Sequence, residues 1–460
     1  MSDLADGYRS LSLWLDTARG PLEPRPSYEG SSEVDVAIIG GGFTGLWTAY
    51  YLNQADPSLT IAVLEAEICG FGASGRNGGW ASALFAASHK SVAAVGGRAG
   101  AVAQQLAMND TVDEIGRVAA AEEIDCHYSK GGTLSLARTP AQLTRLHAHV
   151  QDEKAWGVGD YEWLDATSAR ERLGAADILG AAWTPHCAAI QPALLARGLA
   201  EVLSRKGIRL YERSRVTSYG PRRVHTAGGV VHARHVIRAT EAWTATLPGH
   251  RRALLPVYSL MIATEPLPQA FWDDVGWRRR ETMTDGRHLL IYAQRTADNR
   301  IAFGGRGAPY HFRSRIEPSF DREPAVFAEL ERSLVELFPA LAGTTVTHRW
   351  GGPLAAPRDW FSSVRYDPRS GMGEAGGYVG DGVSTTNLAG RTLADLVLAR
   401  DTPLTRLPWV DHRSRRWEPE PLRYLGVNAG RLLAVAADKE EALTGRPSVV
   451  GRLANAYIGH

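Results

Sequence analysis

A chain of 460 residues is too long for one small core and points to two or three domains of about 100–200 residues each. Its 44% hydrophobic and 22% charged residues exclude a disordered, collagen-like or wholly membrane-embedded chain. With 51 basic and 50 acidic residues the net charge is +1, without the basic excess of a nucleic-acid binder.

In chain order, residues 1–33 read as an arm rich in Pro, Ser and Glu, with Trp14 as its anchor. VDVAII over 34–39 is a continuous apolar, β-branched run, the pattern of a buried parallel strand. Gly40, Gly41 and Gly42 break it, and FTGLWTAYYLNQA is helical up to Pro57. LTIAVL over 59–64 is a second buried strand, closed by Glu65. GFGASGRNGGW over 70–80 is a glycine-rich loop. A helical pattern runs over about 92–125, a strand over 131–137, and a helix over 140–156 with Leu143, Leu146 and Val150 on one face. The helix over 192–206 has Pro192 in its first turn and ends at Gly207. Short strands follow in GIRLYE, VVHA and HVIRAT, and strand-like alternation covers 251–310. A helix is expected over 324–338, and the strand GYVGDG leads into the helix TNLAGRTLADLVLAR over 377–400. The last sixty residues carry Arg and Pro and then turn helical, and no internal repeat or low-complexity tract occurs.

The three cysteines, Cys69, Cys126 and Cys187, are far apart and form no C-x-x-C. They outline neither a disulfide framework nor a zinc site and suit a reducing, cytoplasmic setting. MSDLADGYRSLSLWLDTARG carries acids and has no apolar core, so no signal peptide is expected. No apolar run reaches the roughly 18 residues of a spanning helix.

Gly40, Gly42 and Gly45 have the G-x-G-x-x-G spacing of a dinucleotide fingerprint and lie where it belongs, between a strand and a helix. The first glycine permits the tight turn, the second lets backbone approach a pyrophosphate, and the third lets helix and strand pack closely. Phe43 and Thr44 open the helix, whose free N–H groups and partial positive charge face phosphate. Glu65, twenty residues after Gly45, can accept hydrogen bonds from both ribose hydroxyls, and its charge repels a 2′-phosphate. NADP is thereby disfavoured, but the fingerprint does not separate FAD from NAD.

The next loop helps to separate them. Gly72, Gly75, Gly78 and Gly79 let the backbone come close to something flat or charged, within a window that also holds Ala73 and Trp80. Ser74, Arg76 and Asn77 can meet pyrophosphate or flavin edges; the plain alternative is a surface turn. Further on, Gly380, Asp381 and Gly382 precede a helix. Asp381 suits a ribityl hydroxyl, and the N–H groups of Thr385, Thr386, Asn387 and Leu388 suit negative charge on a reduced flavin ring. Plain capping by Ser384 or Thr385 is the alternative.

At these three elements the sequence resembles the FAD-dependent oxidoreductases of the D-amino acid oxidase type, and most of all the gamma-glutamylputrescine oxidase branch. Other matching stretches are RATEAWTATLPG and RWGGPLAAPRDWFSSV, so the likeness spans nearly the whole chain. It implies an α/β fold in which a glutathione-reductase-type FAD-binding Rossmann domain (34–95, 175–250 and 350–400) is interleaved with an α+β substrate domain (96–174 and 251–349). That second domain would carry a mixed or antiparallel sheet, and 401–460 would be a helical extension. Val216 would clasp the adenine through its backbone, and Thr240 would lie near the pyrophosphate turn. Glu241 departs from the A-T-G-A of many relatives and brings a carboxylate near phosphates unless it points away. Arg76 stands where some relatives have a flavin-linking His, and no Cys occurs between 188 and 460, so the FAD is expected to be non-covalent.

The chemistry implied is hydride transfer from the carbon bearing an amine to flavin N5, followed by hydrolysis of the imine. The expected partner is a small amine or amino acid, with no nucleic acid or membrane, and the protein is expected to be a monomer or homodimer. Tyr258, His288, Tyr292 and Trp350 are candidate substrate-side residues, the aromatics by cation–π contact, with ordinary packing as the alternative. Arg349 and Arg358 can grip a carboxylate. The stretch 283–303 has no Lys to promote reaction with oxygen, so the electron acceptor stays open. His147 with His149, and His232 with His235, have metal-like spacing but no supporting ligand set, and no metal is expected. Two other readings stand beside this one: an NAD-dependent dehydrogenase, and a flavin-binding relay subunit whose 401–460 segment meets a partner.

Overall fold

The apolar run over 34–39 is the second half of a ten-residue strand, Gly30–Ile39, at the centre of a parallel array. Ile61–Leu64 lies on one side of it and Gly229–Arg238 on the other. Arg209–Tyr211 and Met372–Gly376 extend the array outward, also parallel. Ser363–Asp367 closes one edge antiparallel, and the hairpin Val216–Gly220 and Arg223–Thr226 leads into Gly229–Arg238. The structure is a computed structural model and describes residues 2–451.

Helices cover this sheet, and the one that follows its central strand leaves no polar face to expose. Every residue of Phe43–Ala55 from Phe43 to Leu52 is buried, the expected fate of a helix apolar all round. It crosses Gly382–Val397 so closely that a Cβ at Gly390 would stand 2.7 Å from the Trp47 backbone. The long helix His89–Ala121 breaks at Gly97 and sends Met108, Val112, Ile115 and Val118 into the same core.

A second sheet of eight strands runs in the order Val346–Ala356, Leu255–Thr264, Ile301–Arg306, Ile291–Arg295, Thr282–Asp285, Thr133–Ala137, Gly180–Thr184, Glu162–Asp165. Its pairs are antiparallel except Thr282–Asp285 with Thr133–Ala137. Leu260, Ile262, Phe303, Trp272 and Trp277 fill its own core. The chain passes between the two sheets several times, which is the interleaved α/β arrangement the resemblance implies.

Two local expectations are corrected. GYVGDG is not a strand: the strand is Met372–Gly376, and the chain then turns through Val379 and Gly380 at φ 55° and 109°, which break the extended backbone. The arm is more ordered than its composition suggests, with helices Ser2–Arg9 and Leu13–Asp16. Trp14, 2% exposed, donates its indole N–H to the Asn77 carbonyl at 2.7 Å, so the arm is fastened under the glycine-rich loop. Among the described residues no helix is long and apolar enough to cross a membrane.

Candidate active site

The two parallel strands Gly30–Ile39 and Gly229–Arg238 end side by side, and glycine is required where they meet. At Gly40, φ is 109° and a Cβ would come within 2.5 Å of the Ala239 carbonyl oxygen. At Gly45 a Cβ would press into the Gly40 carbonyl oxygen, so helix Phe43–Ala55 can rise directly from the strand end only with glycine there. Above this turn lies a cavity of about 360 Å³. Gly40, Gly42, Phe43, Thr44 and Glu65 line it from the first βαβ unit. Ala73, Ser74 and Asn77 line it from the loop, Val216 and Thr240 from strand ends of the parallel sheet, and Gly380 and Thr386 from the turn before helix Gly382–Val397 and its first turns.

A second cavity of about 320 Å³ shares Ala73, Asn77, Leu354, Gly380 and Val383 with the first, so the two adjoin along a common wall and form a two-part slot. Arg76, Gly78, Trp80 and Asp381 line this second part. The remaining expected cofactor residues support the slot without lining it. Gly79, at φ 69°, packs against the Ile190 carbonyl and Gln294. Helix Gly382–Val397 begins at Gly382, ahead of Ser384, so Thr385, Asn387 and Leu388 are buried in its body. Thr385 donates to the Asp381 carbonyl at 2.6 Å, and Asn387 donates to the Tyr51 hydroxyl at 2.8 Å. The helix cap is Asp381, with no side-chain cap bond, so neither Ser384 nor Thr385 caps it.

The loop is tied down from within. Ser74 Oγ accepts the Phe43 N–H at 2.8 Å, and Asn77 Oδ1 accepts the Gly79 N–H at 2.7 Å. Arg76 is buried, pairs with Asp321 at 2.7 Å and stacks 5.0 Å from the Phe71 ring centre. Burial lowers the Arg76 pKa, and the Asp321 charge opposes that shift.

Three carboxylates are perturbed. Burial pushes Glu65 up to about 7, against N–H donation from Glu67 at 2.9 Å and Gly41 at 2.6 Å. Burial likewise pushes Asp381 up to about 6, opposed by the Arg306 charge. Glu241, pushed by burial to about 7, does line the first cavity, but its carboxylate is taken up by backbone. Its carboxylate accepts the N–H groups of Gly377, Tyr378 and Ala355 at 3.0, 3.2 and 3.3 Å, so it stitches the final turn to strand Val346–Ala356.

Of the four candidate substrate-side residues only Tyr292 lines the second cavity. Its hydroxyl bonds Ser259 Oγ at 2.7 Å, and its ring meets Trp80 edge-on at 6.1 Å. Tyr258 sits on the opposite face of the same strand as Ser259 and packs edge-on against His311 and Phe320 at 5.6 and 6.0 Å. Trp350 is buried beneath the loop, donating to the Arg76 carbonyl at 2.9 Å and meeting Trp14 at 6.1 Å. His288 contacts Arg145 and Glu441, both at 2.9 Å, and fastens helix Leu422–Thr444. Arg349 pairs with Glu331 and Arg358 with Glu418, and neither lines the second cavity. His147 stacks on Trp163 and His235 bonds the Tyr366 hydroxyl, so neither histidine pair converges on a metal-like site.

Sequence reasoning missed Ser259 and Arg306, which two strands of the second sheet bring to the cavity, and Gln105, Asn109, His149, Glu153 and Tyr161, which come from the helices and loop around it. No local signal marks them: Leu255–Thr264, which carries Ser259, is mostly buried on both faces.

The slot fits FAD on its own features. It is long and two-part, with glycine backbone at a helix start and a buried acid at the end of the second strand. Its second part holds the Trp80 indole N–H, buried and without a partner.

Residues 35–396 match the family described as DAO: FAD dependent oxidoreductase. The chain is 31% identical over 396 residues to the gamma-glutamylputrescine oxidoreductase of Escherichia coli, covering 84% of this chain and 88% of that protein. It is 30% identical over 382 residues to a probable oxidoreductase, OrdL, of Haemophilus influenzae, covering 81% and 84%. The crystal structure of glycine oxidase from Geobacillus kaustophilus superposes with a TM-score of 0.69 at 21% identity, over 83% of this chain and 99% of that one, a likeness of fold.

Proposed function

The chain belongs to the DAO family of FAD-dependent oxidoreductases, and from that premise we propose that it oxidises the C–N bond of an amine or amino acid by hydride transfer, giving an imine that hydrolyses. The observation that carries this reading is the pair of adjoining cavities, with Glu65 at the end of the second strand and a chamber walled by Tyr292 and Trp80.

In this reading the parallel sheet carries the cofactor and the second sheet carries the substrate. Glu65 accepts the ribose hydroxyls, and Val216 flanks the adenine. Gly40, Gly42, Phe43 and Thr44 present backbone to the pyrophosphate, beside Thr240. Bound FAD supplies the hydride acceptor. Tyr292 and Trp80 exclude water from the chamber and hold the amine, and burial raises the Tyr292 hydroxyl pKa, so it stays neutral. The first turn of Gly382–Val397 offers N–H groups to developing negative charge. No strong base is needed if the amine arrives neutral. The E. coli relative is named for gamma-glutamylputrescine, so a substrate of that kind is the first to try. The three buried free cysteines support a reducing, cytoplasmic setting.

The FAD is held without a covalent bond. Acid precipitation is expected to leave the yellow colour in the supernatant; colour in the pellet would show a covalent link. The reading as a whole is tested by adding amines to the protein without oxygen, watching the flavin absorbance and trapping the carbonyl product.

A further inference from the structure

We infer that the wall of the second cavity contributed by helix Pro140–Trp156 binds a cationic group, with Glu153 as its counter-charge, so the substrate is an amine that carries a second positive charge. The inference rests on the amine-oxidising reading of the same cavity and narrows its substrate class.

Glu153 lines the second cavity and not the first. Its side chain is 12% exposed, and one carboxylate oxygen, Oε2, contacts the imidazole of His89 at 3.1 Å. The other, Oε1, has no hydrogen bond among the described residues. A half-buried carboxylate on a cavity wall, with one oxygen that no side chain occupies, is completed by a cation that brings its own donors.

Among the described residues two carboxylates line the cavity: Asp381, which faces the Arg306 charge, and Glu153, whose partner His89 is a cation only when protonated. Arg76 also lines the cavity but is spent on Asp321 at 2.7 Å. Arg306 donates to the Val379 carbonyl at 2.5 Å and acts on Asp381. His149, edge-on to Tyr161 at 4.9 Å, is held by burial below the usual histidine pKa, although the Glu153 charge works against that shift. His186 pairs with Asp160 at 2.8 Å.

Gln105 adds a neutral acceptor. Gln105 and Asn109 are 9% and 8% exposed and line the same cavity. Gln105 Nε2 is used on Asn109 Oδ1 at 2.8 Å and the Ala83 carbonyl at 3.0 Å, which leaves its Oε1 open. An ammonium has three donors and no acceptor. Glu153 and Gln105, which line the same cavity as Tyr161, suit it; a methyl group wastes them, and the Glu153 charge repels a carboxylate.

The experiment uses the FAD-loaded full chain and three primary amines of equal chain length, ending in methyl, ammonium or carboxylate: an alkylamine, an α,ω-diamine and an ω-amino acid. Anaerobic flavin reduction is expected to favour the diamine over the alkylamine by on the order of 30-fold or more, the scale of a buried charge pair, with the amino acid slowest. The stabilisation each probe gives in thermal melting follows the same order. In Glu153→Gln the diamine-to-alkylamine ratio is expected to fall to within about threefold of unity. An alkylamine as good as the diamine in the natural protein overturns the inference, and so does a diamine preference that survives in Glu153→Gln. If all three probes leave the flavin oxidised while another amine bleaches it, the inference fails and the functional reading stands. If no amine of any kind bleaches it, both fail.

Discussion

Replacing Gly45 by alanine is expected to strip the protein of FAD and to lower its yield of folded chain. The new methyl would press into the Gly40 carbonyl oxygen and lie 3.2 Å from both the Gly40 carbonyl carbon and Ile38 Cγ2. Two of those atoms are backbone of the strand end and cannot rotate away. Helix Phe43–Ala55 must then lift off the sheet, and the glycine turn that lines the first cavity opens with it. Overpacking a well-filled site costs about 1–3 kcal/mol, and a backbone clash lies at or above the top of that range. Gly220→Ala is the control, because a Cβ there meets nothing within 4 Å and the backbone is not left-handed. Flavin content per protein and the melting temperature check the prediction. Equal values in Gly45→Ala and the natural protein would contradict the close-packing account.

Glu65→Gln is expected to weaken FAD binding about 100-fold, because hydrogen bonds to a charged acceptor are worth about 1.5–3 kcal/mol each. The amide also presents a donor to the N–H groups of Gly41 and Glu67, which now point at a carboxylate. The pH dependence has a definite sign. In the cofactor-free protein burial holds Glu65 at about 7, above the usual carboxylate range. A raised acid favours folding while protonated, so its contribution is full at acid pH and is lost as pH rises through about 7. Ribose hydroxyls select the ionised form. FAD affinity is therefore expected to weaken as pH drops below about 7, and Glu65→Gln to lose that dependence. Titration of the apoprotein with FAD at pH values on either side of about 7 measures both effects. A dissociation constant indifferent to pH and to the substitution would remove Glu65 from the cofactor site.

The first βαβ unit was legible because its information is local: an apolar strand, glycines at a turn, a helix and an acid lie within 34–65. The loop over 70–80 was legible as glycine-rich, but the fate of each residue in it was not. Gly79 is fixed by Gln294, and Arg76 by Asp321, partners that only the fold brings near. Tyr258 drew attention as an aromatic on a substrate-side strand, yet Ser259 faces the cavity. Most of Leu255–Thr264 is buried, on both faces, so alternation gave no phase to choose between neighbours. Trp350 was misplaced because its burial depends on Trp14, at the other end of the chain. The turn at Val379 and Gly380 was hidden because a β-branched residue at positive φ runs against its own preference. Glu153 was invisible for a different reason: an acid in the last turn of a surface-like helix carries no mark of the cavity it meets.

The most direct measurement is the visible spectrum of the purified protein, recorded without oxygen while amines and amino acids are added. The account predicts a flavin spectrum that one class of amine bleaches, with one carbonyl product released for each flavin reduced; readmitted air then shows whether oxygen is the acceptor. A flavin that no amine or amino acid bleaches would contradict the proposed reaction, and a protein that takes up no FAD on reconstitution would contradict the site itself.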